Sequence, residues 1–257
     1  MGIYSRLLLL TLLLGLFVQA EETFINTKGL NLAHITHSNK YCKSTKGTNI
    51  LCQKKELTYL DYEDAQLPDF LSSVKEHIAP IVDKYFATNL KKNTLKNIQD
   101  LDEDIAGQWY NERDIKLFSK TPHTYTLSDA SSGYTGGAHG FYNLELDNYD
   151  IITKEKLTLP DLFLKDYNIT LHQIAEEHYK QLRGLKPTQS LTDDNWFDNI
   201  FLLADNFAIT KKGLYFFYNQ YEVQPYASGN IEFMLPYSKI HHLVDPKGAL
   251  SFVIKSM

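Results

Sequence analysis

The segment His123–Ile152, HTYTLSDASSGYTGGAHGFYNLELDNYDII, decides how this chain is read. Tyr125 and Leu127 lie before a glycine-rich stretch, and Phe141, Leu144 and Leu146 lie after it. That spacing predicts two strands, His123–Ala130 and Phe141–Ile152, joined through Ser131–Ala138 as a hairpin with an irregular tip. Thr121-Pro122 marks the change of period, because the stretch upstream reads as helix.

Upstream, Phe70, Val74, Ile78, Ile81, Val82, Tyr85 and Phe86 recur at three- and four-residue spacing after Pro68-Asp69, which predicts an amphipathic helix. Pro80 is expected to kink or split it. Leu95, Ile98, Leu101, Ile105 and Trp109 suggest a second helix, and Lys54–Tyr62 a short strand. Downstream, Leu157–Phe163 carries a Pro-Asp helix start, and Ile169–Leu182 forms a further amphipathic helix with Gly184 as its stop. Phe207–Thr210, the Lys211-Lys212-Gly213 turn and Leu214–Tyr218 read as a second hairpin. Ile231–Leu235 and Leu250–Ile254 read as two more strands. Strands in groups with helices between them predict an α+β fold, an antiparallel sheet with helices packed on one face. The expected division is residues 1–20, an N-terminal α+β part over 21–120, and a C-terminal domain over 121–257.

The first twenty residues read as a secretory signal peptide. Arg6 precedes an apolar run from Leu7 to Val18, and Val18-Gln19-Ala20 offers a cleavage site. The run is short for a bilayer span, which needs about 20 residues, though an uncleaved anchor stays open as an alternative. Cys42 and Cys52 are the only cysteines. In an oxidising compartment they are expected to close a small disulfide hairpin.

The 257 residues are 43% hydrophobic and 22% charged, with 13 Gly and 8 Pro, which excludes collagen, coiled coil and general disorder. A net charge of −5 argues against a nucleic-acid binder. Tyrosine (17) and phenylalanine (14) far outnumber tryptophan (2), so many half-exposed rings are expected. Nucleophile-elbow, Walker and dinucleotide-binding motifs are absent from the sequence. The nine histidines lack metal-ligand spacing, so no metal or other cofactor is expected.

Two stretches stand out as candidate contact surfaces. In Tyr134-Thr135-Gly136-Gly137-Ala138-His139-Gly140, the glycines permit close approach of another chain or ligand, and His139 is the one side chain of a type that titrates near neutral pH. A histidine that merely ties down the hairpin is the competing reading. In Tyr221-Glu222-Val223-Gln224-Pro225-Tyr226-Ala227-Ser228-Gly229, two tyrosines sit on a loop stiffened by Pro225. Their rings either contact a partner or pack on the sheet. The expected partner-binding residues are Tyr134, Gly136, Gly137, His139, Gly140, Tyr221, Glu222, Pro225, Tyr226 and Gly229.

Gly136–Gly140, Leu157–Phe163, Phe207–Thr210 with Gly213-Leu214, Tyr221–Gly229 and Leu235–Tyr237 occur in the order of a known family. Over residues 121–240 the chain resembles the extracellular domain of the lysozyme-responsive anti-sigma factor RsiV, shared with a non-catalytic region of the peptidoglycan deacetylase PdaC. The resemblance implies an α+β domain, without catalysis of its own, displayed outside a bacterial cytoplasmic membrane. It also makes lysozyme the most specific partner candidate, with another envelope protein or peptidoglycan as further candidates. The sequence has neither a sigma-binding segment nor the deacetylase's Asp/His metal motif, so those activities are not expected. The expected function is an exported, periplasmic or secreted, binding protein of the envelope. Two alternatives are open: an enzyme acting on envelope glycans through His139 and a carboxylate such as Glu222 or Asp129, and an accessory subunit of an envelope complex.

Overall fold

Cys42 and Cys52 face each other across two antiparallel strands, β1 (His34–Ser44) and β2 (Ile50–Leu60), and are joined by a disulfide with a Cα–Cα distance of 4.0 Å. The computed structural model describes residues 30, 32–45, 49–100 and 107–255. The signal segment read at 1–20 lies outside the described residues.

The first hairpin begins a six-stranded sheet that continues through β3 (Gly107–Lys120), β4 (Thr124–Tyr134), β5 (Phe141–Asp150) and β6 (Lys156–Leu157) in chain order. The expected β4–β5 hairpin is present, with Gly133 opposite Phe141 at its tip. The boundary read near residue 120 coincides with the turn between β3 and β4, which pair along most of their length. A second sheet holds β7 (Phe207–Ile209), β8 (Gly213–Tyr218) and β9 (Ile231–Pro236), all antiparallel. The main helices are α1 (Val74–Ala87), α2 (Leu90–Asp100) and α3 (Tyr167–Leu182).

Strand side chains alternate between faces, and that alternation assigns the layers. Leu57, Tyr59, Ile115, Tyr125 and Leu127 pack against Val74, Ile78, Val82 and Tyr85 of α1. On the opposite face Leu144 and Leu146 meet Ala208, Tyr215 and Phe217 of the small sheet. The far side of that sheet, including Leu214, Phe216 and Phe233, packs on Leu171, Ala175 and Tyr179 of α3. The order is helix, sheet, sheet, helix. β8 is buried along its whole length because it is covered on both faces.

Polar side chains join the two sheets where hydrophobic contact alone would leave backbone groups unpaired. Asn148, 1% exposed, donates through Nδ2 to the Phe207 carbonyl (2.7 Å) and accepts at Oδ1 from the Ile209 amide (2.8 Å) and Thr126 Oγ1 (2.7 Å). It thereby holds β7 much as a neighbouring strand would. A bulge between Leu117 and Ser119 shifts the register of β3. Ser119 beyond it turns its hydroxyl to the Ile209 carbonyl (2.5 Å). The outer edge of β5 is covered in a similar way: Asn219 Oδ1 accepts from the Leu144 amide (2.7 Å) and Asn206 Oδ1 from the Leu146 amide (2.9 Å).

The fold is α+β, with four departures in detail. The large sheet is mixed, because β2 and β3 run parallel; parallel and antiparallel pairing leave the same side-chain alternation. Trp109 lies in β3 and not on a helix, since α2 spans Leu90–Asp100. Leu250–Ile254 is not a strand: Ser251–Lys255 forms one helical turn, begun by amide bonds to Gly248 and Leu250 and anchored by buried Val253. Finally, α1 runs unbroken through Pro80, which sits on its exposed side with Glu76, so the carbonyl that the proline leaves unpaired faces water.

Candidate functional site

The tip of the β4–β5 hairpin is built on Trp109. This indole is 7% exposed and lies under Gly136, where a Cβ would come within 2.9 Å of the ring. Gly136 also has φ of +88°, a left-handed conformation that side chains resist. A Cβ at Gly140 would lie 2.7 Å from the Gly133 carbonyl oxygen. Glycine is therefore required at these two positions by contact. Gly137 differs, because the nearest atom to its Cβ would be 3.9 Å away.

This backbone presents His139 to solvent. Its Nδ1 lies 2.8 Å from the Gly140 carbonyl, so Nδ1 carries the proton and donates. Nε2 is then the acceptor for the Tyr221 hydroxyl at 3.4 Å. The imidazole stacks on Tyr226, with ring centroids 3.7 Å apart and planes 21° from parallel. Tyr221 is 5.9 Å from Tyr226 between centroids and 56% exposed. The two stretches singled out in the sequence thus form one exposed aromatic group.

The tyrosine loop is held by its other residues. Val223 and Gln224 are buried; the Val223 carbonyl accepts from the Phe197 amide (2.9 Å), and Gln224 Nε2 donates to the Asp194 carbonyl (2.5 Å). Asn219 ties the start of the loop to β5 and donates to Glu222 Oε1 (3.3 Å). Pro225 sets the turn Tyr226–Ser228, and Gly229 ends it at φ +75°. Tyr221 itself has φ +68°. With its backbone fixed on both sides, the loop loses little entropy when the rings meet a ligand.

The remaining residues fall elsewhere. Tyr134 pairs with Tyr110 at the end of β4 and, among the described residues, has no hydrogen bond or ring contact with the His139 group. Asp129, the suggested acid–base partner of His139, lies on the α1 face of the sheet. Arg113 holds it through two hydrogen bonds, Nε–Oδ1 at 2.7 Å and Nη2–Oδ2 at 2.5 Å. His77 is its other neighbour, at 4.0 Å. Trp109, Asn219 and Gln224 shape the site but were not read from the sequence. Trp109 reads as helix in the sequence, Asn219 lies outside the Tyr221–Gly229 stretch, and Gln224 lies within it with nothing to mark its amide as a tether. Among the described residues, no group of three or more His, Cys, Asp or Glu side chains converges to hold a metal ion.

Residues 160–238 match the family described as "Protein of unknown function (DUF3298)". That region contains α3, the second sheet and the Tyr221–Gly229 loop, while the His139 tip lies just before it. A member of the DUF3298 family from Bacteroides fragilis NCTC 9343 has a similar crystal structure, with a TM-score of 0.63 at 21% identity over 88% of this chain and 98% of that one. A DUF3298 family protein from Pseudomonas aeruginosa PAO1 gives 0.56 at 18% identity, over 84% and 96% of the two chains. These likenesses extend the shared fold well beyond the matched region. No curated protein matches the sequence. Among the described residues, no helix is long and apolar enough to cross a membrane.

Proposed function

We propose that this protein is an exported, periplasmic or secreted, binding protein of the bacterial envelope. It recognises a protein or a cell-wall glycan through the His139–Tyr221–Tyr226 surface and performs no catalysis there. The observation that carries this reading is the stacked, solvent-facing ring group held on a backbone fixed from below and from both sides. Rigid tyrosines that keep one polar end wet are the side chains that anchor interfaces at low entropic cost. Both ring nitrogens of His139 are engaged with Gly140 and Tyr221, which suits a positioned contact residue better than a proton shuttle. The resemblance to the RsiV ectodomain and the leader-like residues 1–20 support the compartment, and lysozyme is the first partner to try.

The test is calorimetry of the mature protein at low salt against lysozyme, together with co-sedimentation with peptidoglycan sacculi. Binding to either that is weakened in Tyr226→Ala and His139→Ala supports the proposal. Absence of binding to both, or binding indifferent to both substitutions, overturns it. Digestion of sacculi by the wild-type protein but not by His139→Ala would favour the enzymatic reading.

A further inference from the structure

Beside the aromatic tip, and sharing Glu222 with its loop, a cleft of about 620 Å³ runs between β5 with β6 and the first turns of α3. We propose that this cleft binds an oligosaccharide built of hexose rings and carrying no carboxylate. The proposal names a ligand class for the envelope-binding reading above and rests on it.

The volume lies within the range of small-ligand clefts. Leu157, Leu203 and Phe207 line it together with Tyr167, whose ring is held against Phe163 at 5.0 Å. These give apolar surface of the kind that packs on the C–H faces of a sugar ring. Around it stand Asn143, Asn168 and His172, whose side chains make no hydrogen bond or ion pair among the described residues. An amide both donates and accepts, as a sugar hydroxyl does, so these groups match a hydroxyl-rich ligand without charge. Burial raises the Tyr167 phenol above its ordinary range, so its hydroxyl stays protonated and able to donate.

Two further observations narrow the class. A peptide adding to β5 as a new strand would need the Leu144 and Leu146 amides, and Asn219 and Asn206 already occupy them. The acidic residues Asp205 and Glu222 line the cleft, while the Asp147 carboxylate turns to the α1 face beside His77 (3.9 Å) and takes the charge of Lys156. Acidic sugars would meet that excess of negative charge.

The test is calorimetry with three tetrasaccharides: cellotetraose, fully N-acetylated chitotetraose and tetragalacturonate. At least one uncharged tetramer is expected to bind with Kd below about 1 mM. Asn168→Ala and His172→Ala, with melting temperatures kept, are each expected to weaken it about five- to tenfold. Tetragalacturonate is expected not to bind. The cleft proposal is overturned if neither uncharged tetramer binds, if tetragalacturonate binds as well as they do, or if affinity falls in Tyr226→Ala but not in the cleft variants. Lysozyme or sacculus binding that still depends on Tyr226 would then leave the tip reading standing alone.

Discussion

His139 and Tyr226 stack at 3.7 Å between ring centroids, one from the β4–β5 hairpin tip and the other from the loop between β8 and β9. The contact joins the large sheet to the small one at a solvent-facing point, so it is well placed to be felt by a ligand. An exposed aromatic pair of this kind is worth about 0.5–1.5 kcal/mol. Tyr226→Ala should therefore lower stability by about 1 kcal/mol or less, while weakening partner affinity about tenfold or more. Urea unfolding beside calorimetry separates the two effects. Equal losses in both would make the stack structural only.

Gly136 and Gly137 are neighbours with different constraints. Gly136→Val meets the Trp109 indole and a positive φ, and should cost about 1–3 kcal/mol. Gly137→Ala enters open space and should change stability by less than about 0.5 kcal/mol. Denaturant midpoints compare the two directly.

Asn148→Ala would leave the Phe207 carbonyl and the Ile209 amide without this partner in a buried interface, while the Thr126 hydroxyl keeps its bond from Ser119. The expected cost is about 2–4 kcal/mol. Hydrogen exchange should rise at the Ile209 amide before it rises in α1. Unchanged protection there would show that β7 does not depend on this side chain.

Replacing Cys42 and Cys52 by serine removes the bond that closes the β1–β2 hairpin. In the chain-entropy model the loss is about 2–3 kcal/mol. Thermal melts with and without reductant should reproduce it in the wild type and show no reductant effect in the double variant.

His178 on α3 is 9% exposed, and burial lowers its pKa from the ordinary 6.5, partly opposed by its bond to the Met234 carbonyl at 2.9 Å. Because the folded value lies below the unfolded one, the unfolded chain takes up the proton first. This group therefore costs no stability above about pH 6.5 and withdraws it progressively as pH falls below that value. His178→Gln, which keeps a donor for Met234, should unfold with a shallower loss of stability between neutral pH and pH 5. Parallel curves for the two proteins would contradict the assignment.

Part of this architecture is legible in the sequence for physical reasons. Leu144 and Leu146 alternate with polar neighbours because one face of β5 meets the small sheet, and α3 shows its three- and four-residue period because only one stripe is covered. β1 is hidden: His34–Ser44 is an edge strand with few apolar positions, held by pairing and the disulfide more than by its own burial. Most of β3 is hidden too, since Asn111–Asp114 is polar along a half-open sheet. The two halves of the aromatic site were each visible as glycine- or tyrosine-rich loops. Their meeting was not, because it depends on Asn148, Asn206 and Asn219 docking one sheet on the other.

Trp109 beneath the hairpin tip also makes the molecule its own optical probe. The chain has 2 tryptophans, and the other, Trp196, is buried beside Tyr179 in the opposite core. With Trp196 replaced by phenylalanine, one indole would remain, covered by Gly136 at the base of the tip. Its emission colour and quenching would then report, without any label, whether an arriving ligand presses on that tip or leaves it untouched.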